Sequence, residues 1–292
     1  MKIYHECIAC HIRSAVTSTM LMTDDENLRS AAVKKALVKA SDFGSYENLF
    51  ELFHDIQKEI KTIVPDTDPY LDFKKEFNRI CLSLSEEYKK KIEKSDDHFE
   101  MALRLCLAGN SVDVMQGKKM SKEYLKSSIE TALTQPLDKK NINILKKEIL
   151  KADRILIIGD NAGEIVFDRL FIEFLNMYFA KEGMITYSVR GGHTLNDSTI
   201  DDALMTGIDK VAKVITTGVD MPAAHLPTCS EEFNRCFREA DLVISKGQGN
   251  LEALIDEKKN IFFLLKIKCN VIAKILDHKH KVDEIVIFKN EN

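Results

Sequence analysis

The fold class predicted for this chain is α/β, a mostly parallel, Rossmann-like sheet domain in the C-terminal half preceded by an all-helical domain, and three observations predict it. From about residue 12 to 150 the apolar residues recur at helical spacing. After residue 153 short β-rich runs alternate with longer helical stretches. Glycine, Asp and Asn collect where those runs hand over to the helices, at the end of a sheet where ligands bind. The expected division is residues 1–150, helical, and 151–292, the sheet domain.

In the first half, Leu49, Leu52, Phe53, Ile56 and Ile60 fall on one helical face with lysines and glutamates between them. Asp68-Pro69 predicts a helix start, with Asp68 as cap and proline at the first helical position. Gly109-Asn110 predicts the end of a helix running through Met101 to Leu107. The basic stretch Lys89 to Lys94 is a solvated helix end. In the second half, six strands are expected: Arg154–Ile158, Ile185–Val189, Val214–Thr217, Leu242–Ser245, Ile261–Leu265 and Glu284–Phe288. Helical stretches such as Ala162–Phe179 and Glu231–Ala240 separate them, so parallel strands covered on both faces follow.

Composition narrows the function classes. Of 292 residues, 45% are hydrophobic and 30% charged, with five prolines and no tryptophan, which excludes a disordered or fibrous chain. Lys plus Arg number 42 against 46 Asp plus Glu, a net charge of −4 that argues against a nucleic-acid partner. The amino terminus lacks an apolar signal core and no window approaches the roughly 18 apolar residues of a membrane span, so a cytoplasmic, membrane-free location is expected. Seven cysteines, five of them in apolar or periodic segments (Cys81, Cys106, Cys229, Cys236, Cys269), are expected as reduced thiols, most of them buried.

The first strand runs into Gly159-Asp160-Asn161-Ala162-Gly163-Glu164, where glycines allow a tight turn and a helix start offers N–H groups suited to phosphate. Asp160 and Asn161 supply a carboxylate and an amide oxygen, hard donors for Mg²⁺ or Mn²⁺. Arg190 to Asp197 follows the second strand and ends in Asn196-Asp197, from which Asp197 could close the site. The fourth strand delivers Ser245-Lys246-Gly247-Gln248-Gly249-Asn250 and Glu252 to the same edge, with Lys246 as a point cation for phosphate and Lys266, ending the fifth, as a second. Each motif singly could be an ordinary cap or turn. Three of them at one sheet edge predict a site.

GDNAGE, Asn196-Asp197 and SKGQGNLE in this order resemble the DUF89 family of damage-control phosphatases. Asp68-Pro69-Tyr70 with Lys74, and Ala108-Gly109-Asn110 with Asp113, resemble its helical-lobe signatures, so the likeness spans nearly the whole chain. The resemblance implies a metal held by Asp160, Asn161 and Asp197, and a substrate phosphate met by Lys246 and Asn250, with Asn110 and Asp113 approaching from the helical lobe. Glu164, Arg190, Asn196, Glu252 and Lys266 complete the expected substrate contacts. The implied ion is Mn²⁺ or Mg²⁺, with Co²⁺ or Ni²⁺ as alternatives, and the implied substrate is a small phosphorylated metabolite, such as a sugar phosphate or a damaged phosphometabolite. Ala223 departs from the family pattern, which has glycine after Gly218-Val219-Asp220-Met221-Pro222.

The implied reaction is hydrolysis of a phosphomonoester, in which Asp160 could be ligand, nucleophile or base and Lys246 would neutralise developing charge. Two other readings share the architecture: an S-adenosylmethionine-dependent methyltransferase, whose usual Gly-x-Gly is missing, and a non-catalytic phosphometabolite-binding protein. A nicotinamide dehydrogenase is disfavoured because GDNAGE lacks the G-x-G-x-x-G spacing. Cys7-Ile8-Ala9-Cys10 resembles the N-terminal Cys-x-x-Cys of one branch of the family. Burial, metal binding and redox activity are its alternatives, and structural zinc would need two further ligands.

Overall fold

The computed structural model describes residues 1–64, 68–110, 121–276 and 280–290. Its first half is helical: α1 (His5–Met22), α2 (Glu26–Ser41), α3 (Leu49–Lys61), α4 (Leu71–Glu93), α5 (His98–Gly109), α6 (Lys122–Thr134) and α7 (Lys139–Lys151). The second half alternates: β1 (Ile155–Ile158), α8 (Glu164–Phe179), β2 (Ile185–Val189), α9 (Ile200–Thr206), β3 (Lys213–Thr216), α10 (Glu231–Glu239), β4 (Leu242–Lys246), α11 (Gln248–Leu254), β5 (Ile261–Lys266), α12 (Asn270–Ile275) and β6 (Ile285–Lys289).

Local chemistry sets many of the helix starts. Asp25, Asn48, Asp97, Ser121 and Asp138 accept N–H groups of the first turns of α2, α3, α5, α6 and α7. Asn110 stands just past α5, as the Gly109-Asn110 signal predicts. The Asp68-Pro69 signal misses by two residues: α4 opens at Leu71 with Tyr70 as its cap. Asp68 Oδ1 does accept the Tyr70 N–H at 3.0 Å, but its other oxygen turns to Lys74 Nζ at 2.7 Å, so a buried ion pair takes the aspartate that a cap would have used.

All six expected strands form one sheet in the order β3-β2-β1-β4-β5-β6, parallel except for β6, which runs antiparallel to β5. Neighbours register Ile155 with Ile185 and Leu242, and Ser245 with Phe263. Because β1 reads Ile-Leu-Ile-Ile with every residue buried, helices must cover both faces. Ile157, Ile244 and Phe262 pack with residues of α4 to α8 on one face. Ile158, Val243 and Phe263 pack with residues of α10, α11 and α12 on the other.

The division expected at residue 150 separates two kinds of secondary structure but not two cores. Phe77, Leu103, Leu125 and Leu145 of the helical half lie in the same apolar cluster as Ile157, Phe167 and Phe262. A separate small cluster joins α1, α2 and α3 through Ala15, Ala32, Leu52 and Ile56. This unit is fastened to the sheet domain where Leu49 and Phe50 meet Met221 and Ala223. Among the described residues no helix is long and apolar enough to cross a membrane. All seven cysteines are free thiols; Cys81, Cys106 and Cys229 are buried, whereas Cys236 and Cys269 are partly exposed.

Candidate active site

The strand order reverses between β1 and β4, since β2 and β3 lie to one side of β1 and β4 and β5 to the other. The helices after these two strands leave on opposite faces, α8 with the first core and α11 with the second, which opens a crevice at the strands' carboxyl ends. Asp160 enters it from β1. Glycine at 247, with φ +79°, is required opposite: a Cβ there would overlap the Asp160 carboxylate.

The loop after β2 crosses to meet the loop after β1. Asn161 and Asp197 form an isolated antiparallel bridge, the Ala162 N–H donates to Asn196 O at 2.9 Å, and the Ser198 N–H donates to Asp160 O at 2.8 Å. Asn196 Nδ2 donates to Asn161 Oδ1 at 2.8 Å. The three residues expected to hold the ion are therefore brought together by backbone pairing. Asn161 Nδ2 and Asn110 Nδ2 donate to Asp160 Oδ2 at 2.8 and 2.9 Å, and Asn110 reaches Glu164 Oε2 at 2.9 Å.

Arg190 is buried beneath this bridge. Its Nε donates to Asp197 Oδ2 at 2.6 Å, Nη1 to Asn250 Oδ1 at 3.0 Å, and Nη2 stands 3.5 Å from Asp160 Oδ1. Burial pushes the Asp160 carboxyl up to about 7, and the negative charges of Asp197 and Glu164 add to it. Burial likewise raises Asp197, against the pull of Arg190.

Several expected phosphate contacts are placed differently. Lys246 is fully buried: its ammonium pairs with Glu164 Oε1 at 2.6 Å and with Asp168, and donates to Cys106 O at 2.9 Å. Burial opposes that charge, yet Asp168 and Glu164 hold the ammonium above the ordinary lysine range. The reason is parity: Leu242, Ile244 and Lys246 share one face of β4, the face that packs on α5 and α8, so the side chain points into the first core. Its three donors are spent, and it anchors Glu164 and Asp168 rather than offering a free cation.

Asn250 is also fully used. Its Oδ1 accepts from Arg190 and from the Ala224 N–H, and its Nδ2 donates to the carbonyls of Gly159 and Lys246. Lys266 gives its backbone N–H to Asn110 Oδ1 at 3.1 Å while its ammonium pairs with Asp283 at 2.8 Å. Glu252 accepts from Gln248 Nε2 at 2.9 Å, an amide that also touches Cys269 Sγ, and burial pushes its carboxyl up to about 7. No hydrogen bond among the described residues joins it to the triad. The N–H groups of Ala162 and Gly163, expected free for phosphate, are taken by Asn196 O and Asn78 Oδ1. Asp113 lies outside the described residues.

Sequence reading missed Asp168, Asn78 and Tyr187. Asp168 lies in Ile165–Phe171 of α8, whose other residues are apolar except Arg169, and also accepts from Tyr187 Oη at 2.7 Å and Cys106 Sγ at 3.1 Å. A lone carboxylate four residues after Glu164 on a buried helix face was the available signal.

Residues 3–282 match the family described as damage-control phosphatase ARMT1-like domain. The chain belongs to that family. A damage-control phosphatase of Pyrococcus horikoshii is 31% identical over 280 residues, covering 94% of each chain, and one of Archaeoglobus fulgidus is 30% identical, covering 94% of this chain and 95% of the relative. An uncharacterized protein of Methanocaldococcus jannaschii is 35% identical, covering 94% of this chain and 91% of the relative. The crystal structure of a DUF89 family protein from Pyrococcus horikoshii superimposes over 100% of both chains with a TM-score of 0.88 and 29% identity. Family membership thus extends over the helical half as well as the sheet domain.

The donors suit a hard cation. Four buried carboxylates, Asp160, Glu164, Asp168 and Asp197, face two buried cations, Arg190 and Lys246, an excess of two negative charges when all are ionised. A divalent ion would balance that excess. Among the described residues no group of three His, Cys, Asp or Glu could hold a metal. Binding at the triad would therefore draw on the Asn161 amide and on water or substrate oxygens, the coordination Mg²⁺ and Mn²⁺ accept.

Proposed function

We propose that the chain is a metal-dependent phosphatase that hydrolyses the phosphomonoester of a small cytoplasmic metabolite, such as a sugar phosphate or a damaged phosphometabolite, without nucleic acid or membrane as partner. The buried excess of two negative charges at the β1/β4 crossover carries this reading, because it sits among oxygen donors at the edge where α/β sheets bind ligands. The family membership and the two relatives named damage-control phosphatases support it.

Asp160, Asn161 and Asp197 would hold the ion, Mn²⁺ or Mg²⁺ before Co²⁺ or Ni²⁺, which when bound polarises a phosphoryl oxygen and offsets its charge. The chain's own residues prepare the site. Asn110 and Asn161 fix Asp160 Oδ2, leaving Oδ1, with Arg190 at 3.5 Å, as the oxygen that can take an ion, a proton or the phosphoryl group. Arg190 couples Asp197 to the Asn250 lattice, and Lys246 holds Glu164, which in turn accepts from Asn110. Lys246 is thus a positioning residue. Cys7-x-x-Cys10 is read as the mark of one family branch with no part in the reaction.

Hydrolysis of p-nitrophenyl phosphate by chelator-treated protein, before and after adding Mn²⁺, Mg²⁺, Co²⁺ or Ni²⁺, tests the reading. Turnover that depends on the ion is expected. Metal-independent turnover overturns the metal role. No turnover with any of the four ions leaves the methyl-transfer or phosphometabolite-sensing reading in its place.

A further inference from the structure

α4 carries a short polar stripe inside the first core. Lys74 and Asn78, one turn apart, lie on one face of the helix beside Phe77, and all three are buried. Lys74 pairs with Asp68 at 2.7 Å and stands 3.7 Å from Asp202. Asn78 is used differently. Its Oδ1 accepts the Gly163 N–H at 2.6 Å, and its Nδ2 donates to Asp202 Oδ1 at 2.7 Å. One amide thus holds two segments of the sheet domain, accepting from one and donating to the other.

Those segments are the ones that carry the triad. Gly163 closes the loop after β1, two residues past Asn161. It holds φ +75°, and a Cβ there would stand 2.5 Å from the Phe77 ring, so glycine is required for this N–H to reach Asn78 while α4 presses against the turn. Asp202 stands in the first turn of α9, where its Oδ2 accepts both the N–H and the hydroxyl of Thr199 at 2.9 Å. Thr199 ends the loop after β2, two residues past Asp197. Each arm of Asn78 therefore leads, directly or through Asp202, to a residue just beyond an expected ion ligand.

The two loops are also joined beside the donors themselves, by the Asn161–Asp197 bridge and by the Ser198 N–H on Asp160 O. A pair of loops joined along one short stretch can still pivot about it. Asn78 supplies a second hold, beyond Asn161 on one loop and beyond Asp197 on the other, and it does so from the helical half of the chain. A second hold matters for a cation such as Mg²⁺, whose near-octahedral shell at about 2.1 Å tolerates little displacement of its donors. Groups that orient metal ligands in this way commonly change metal affinity by about 10–100-fold when they are lost.

We propose that Asn78 is a positioning residue for the metal site, setting the separation of the loops after β1 and β2 and through it the affinity for the divalent ion. The inference rests on the phosphatase reading above, in which Asp160, Asn161 and Asp197 hold that ion, and adds that a side chain of the helical half fixes their spacing.

Direct Mn²⁺ binding, read from the electron paramagnetic resonance signal of the free ion, tests it on the chelator-treated full chain, with urea unfolding in parallel. The proteins are wild type, Asn78→Asp, Asn78→Asp with Asp202→Asn, and Leu84→Ala. Asn78→Asp keeps the acceptor for Gly163 but sets a carboxylate against Asp202, and should raise the Mn²⁺ Kd about 10-fold or more. Adding Asp202→Asn exchanges the two side chains, restores one donor facing one acceptor at unchanged net charge, and should return Kd to within about 3-fold of wild type. Leu84→Ala opens a cavity under the same helix and should lower stability while leaving Kd within about 2-fold of wild type.

A Kd for Asn78→Asp within about 2-fold of wild type, a Kd that rises equally in Leu84→Ala, or no recovery in the exchanged pair overturns the proposal. If Asn78→Asp does not fold, the exchanged pair decides: a folded protein of wild-type affinity supports the proposal and an unfolded one overturns it. Wild type that binds no Mn²⁺ is a different failure, in which the metal reading itself falls and takes this inference with it.

Discussion

Replacing Asp160 by Asn should stabilise the metal-free protein and abolish its response to divalent ions. The carboxyl is pushed from an ordinary 3.8 to about 7 by burial and by Asp197 and Glu164. At 1.36 kcal/mol per pH unit that displacement corresponds to an upper bound of about 4 kcal/mol. The amide can keep an oxygen toward Asn110 and Asn161, but puts N–H groups near Arg190, 3.5 Å from Oδ1, so a net gain of about 1–3 kcal/mol is expected at pH 8. The sign follows from proton uptake. Between pH 4 and 7 the native carboxyl keeps a proton that the unfolded chain has released, so wild-type stability is greatest below about 4 and declines as pH rises to 7. Urea unfolding at pH 4.5 and 8 in chelator reads the effect, and the advantage of Asp160→Asn should shrink toward zero at the lower pH. With Mn²⁺ added, wild type should gain stability and the variant should not. A variant less stable than wild type at both pH values would show that Asp160 is a structural hydrogen-bond acceptor, and would refute the reasoning from excess charge.

Other perturbations follow from the same contacts. Lys246→Met strands Glu164 and Asp168 without their shared cation, so urea unfolding should report a loss of about 3–5 kcal/mol; a fully stable variant with only a raised KM would return Lys246 to the phosphate. Gly247→Ala should cost about 1–3 kcal/mol, because φ +79° with ψ +161° is backbone that in practice only glycine adopts, while lowering kcat/KM about 100-fold through displacement of Asp160, and kinetics that fall no further than stability would refute that placement. Cys7→Ser with Cys10→Ser should keep metal-dependent hydrolysis, since neither thiol is bonded to the triad among the described contacts; a folded but inactive double variant would bring the pair into the chemistry.

The sequence made some features legible because they are local. Every strand was foreseeable to within a residue at each end, since continuous apolar runs such as Ile155–Ile158 and Ile261–Leu265 are what double-sided burial demands. That Asp160, Asn161 and Asp197 would meet at one sheet edge was foreseeable because Asp, Asn and Gly follow strands there. Side-chain direction was not. Lys246 and Lys266 both end strands on the face of the first core, and only knowledge of which face α5 and α8 cover tells that Lys246 points inward. Asn250 similarly reads as a free amide until the Gly159 and Lys246 carbonyls are beside it. The antiparallel turn of β6 and the shared core across residue 150 depend on contacts distant in sequence, which periodicity does not carry.

The placement of charge explains why the site is built from two layers of carboxylates. Lys246 neutralises only within the lower layer, Glu164 and Asp168, inside the first core and against Tyr187 and Cys106. Arg190 serves the upper layer from the other side, tied through Asn250 and Pro222 O to the second face of the sheet. Asn110 links the layers by donating to both Asp160 and Glu164, and because it caps α5 it transmits the position of the helical half to the upper carboxylates. A charge added or removed in the upper layer is therefore met by fixed partners below, not by rearrangement of the core. That rigidity is what preorganised electrostatics requires, and it places the adjustable chemistry at Asp160 Oδ1.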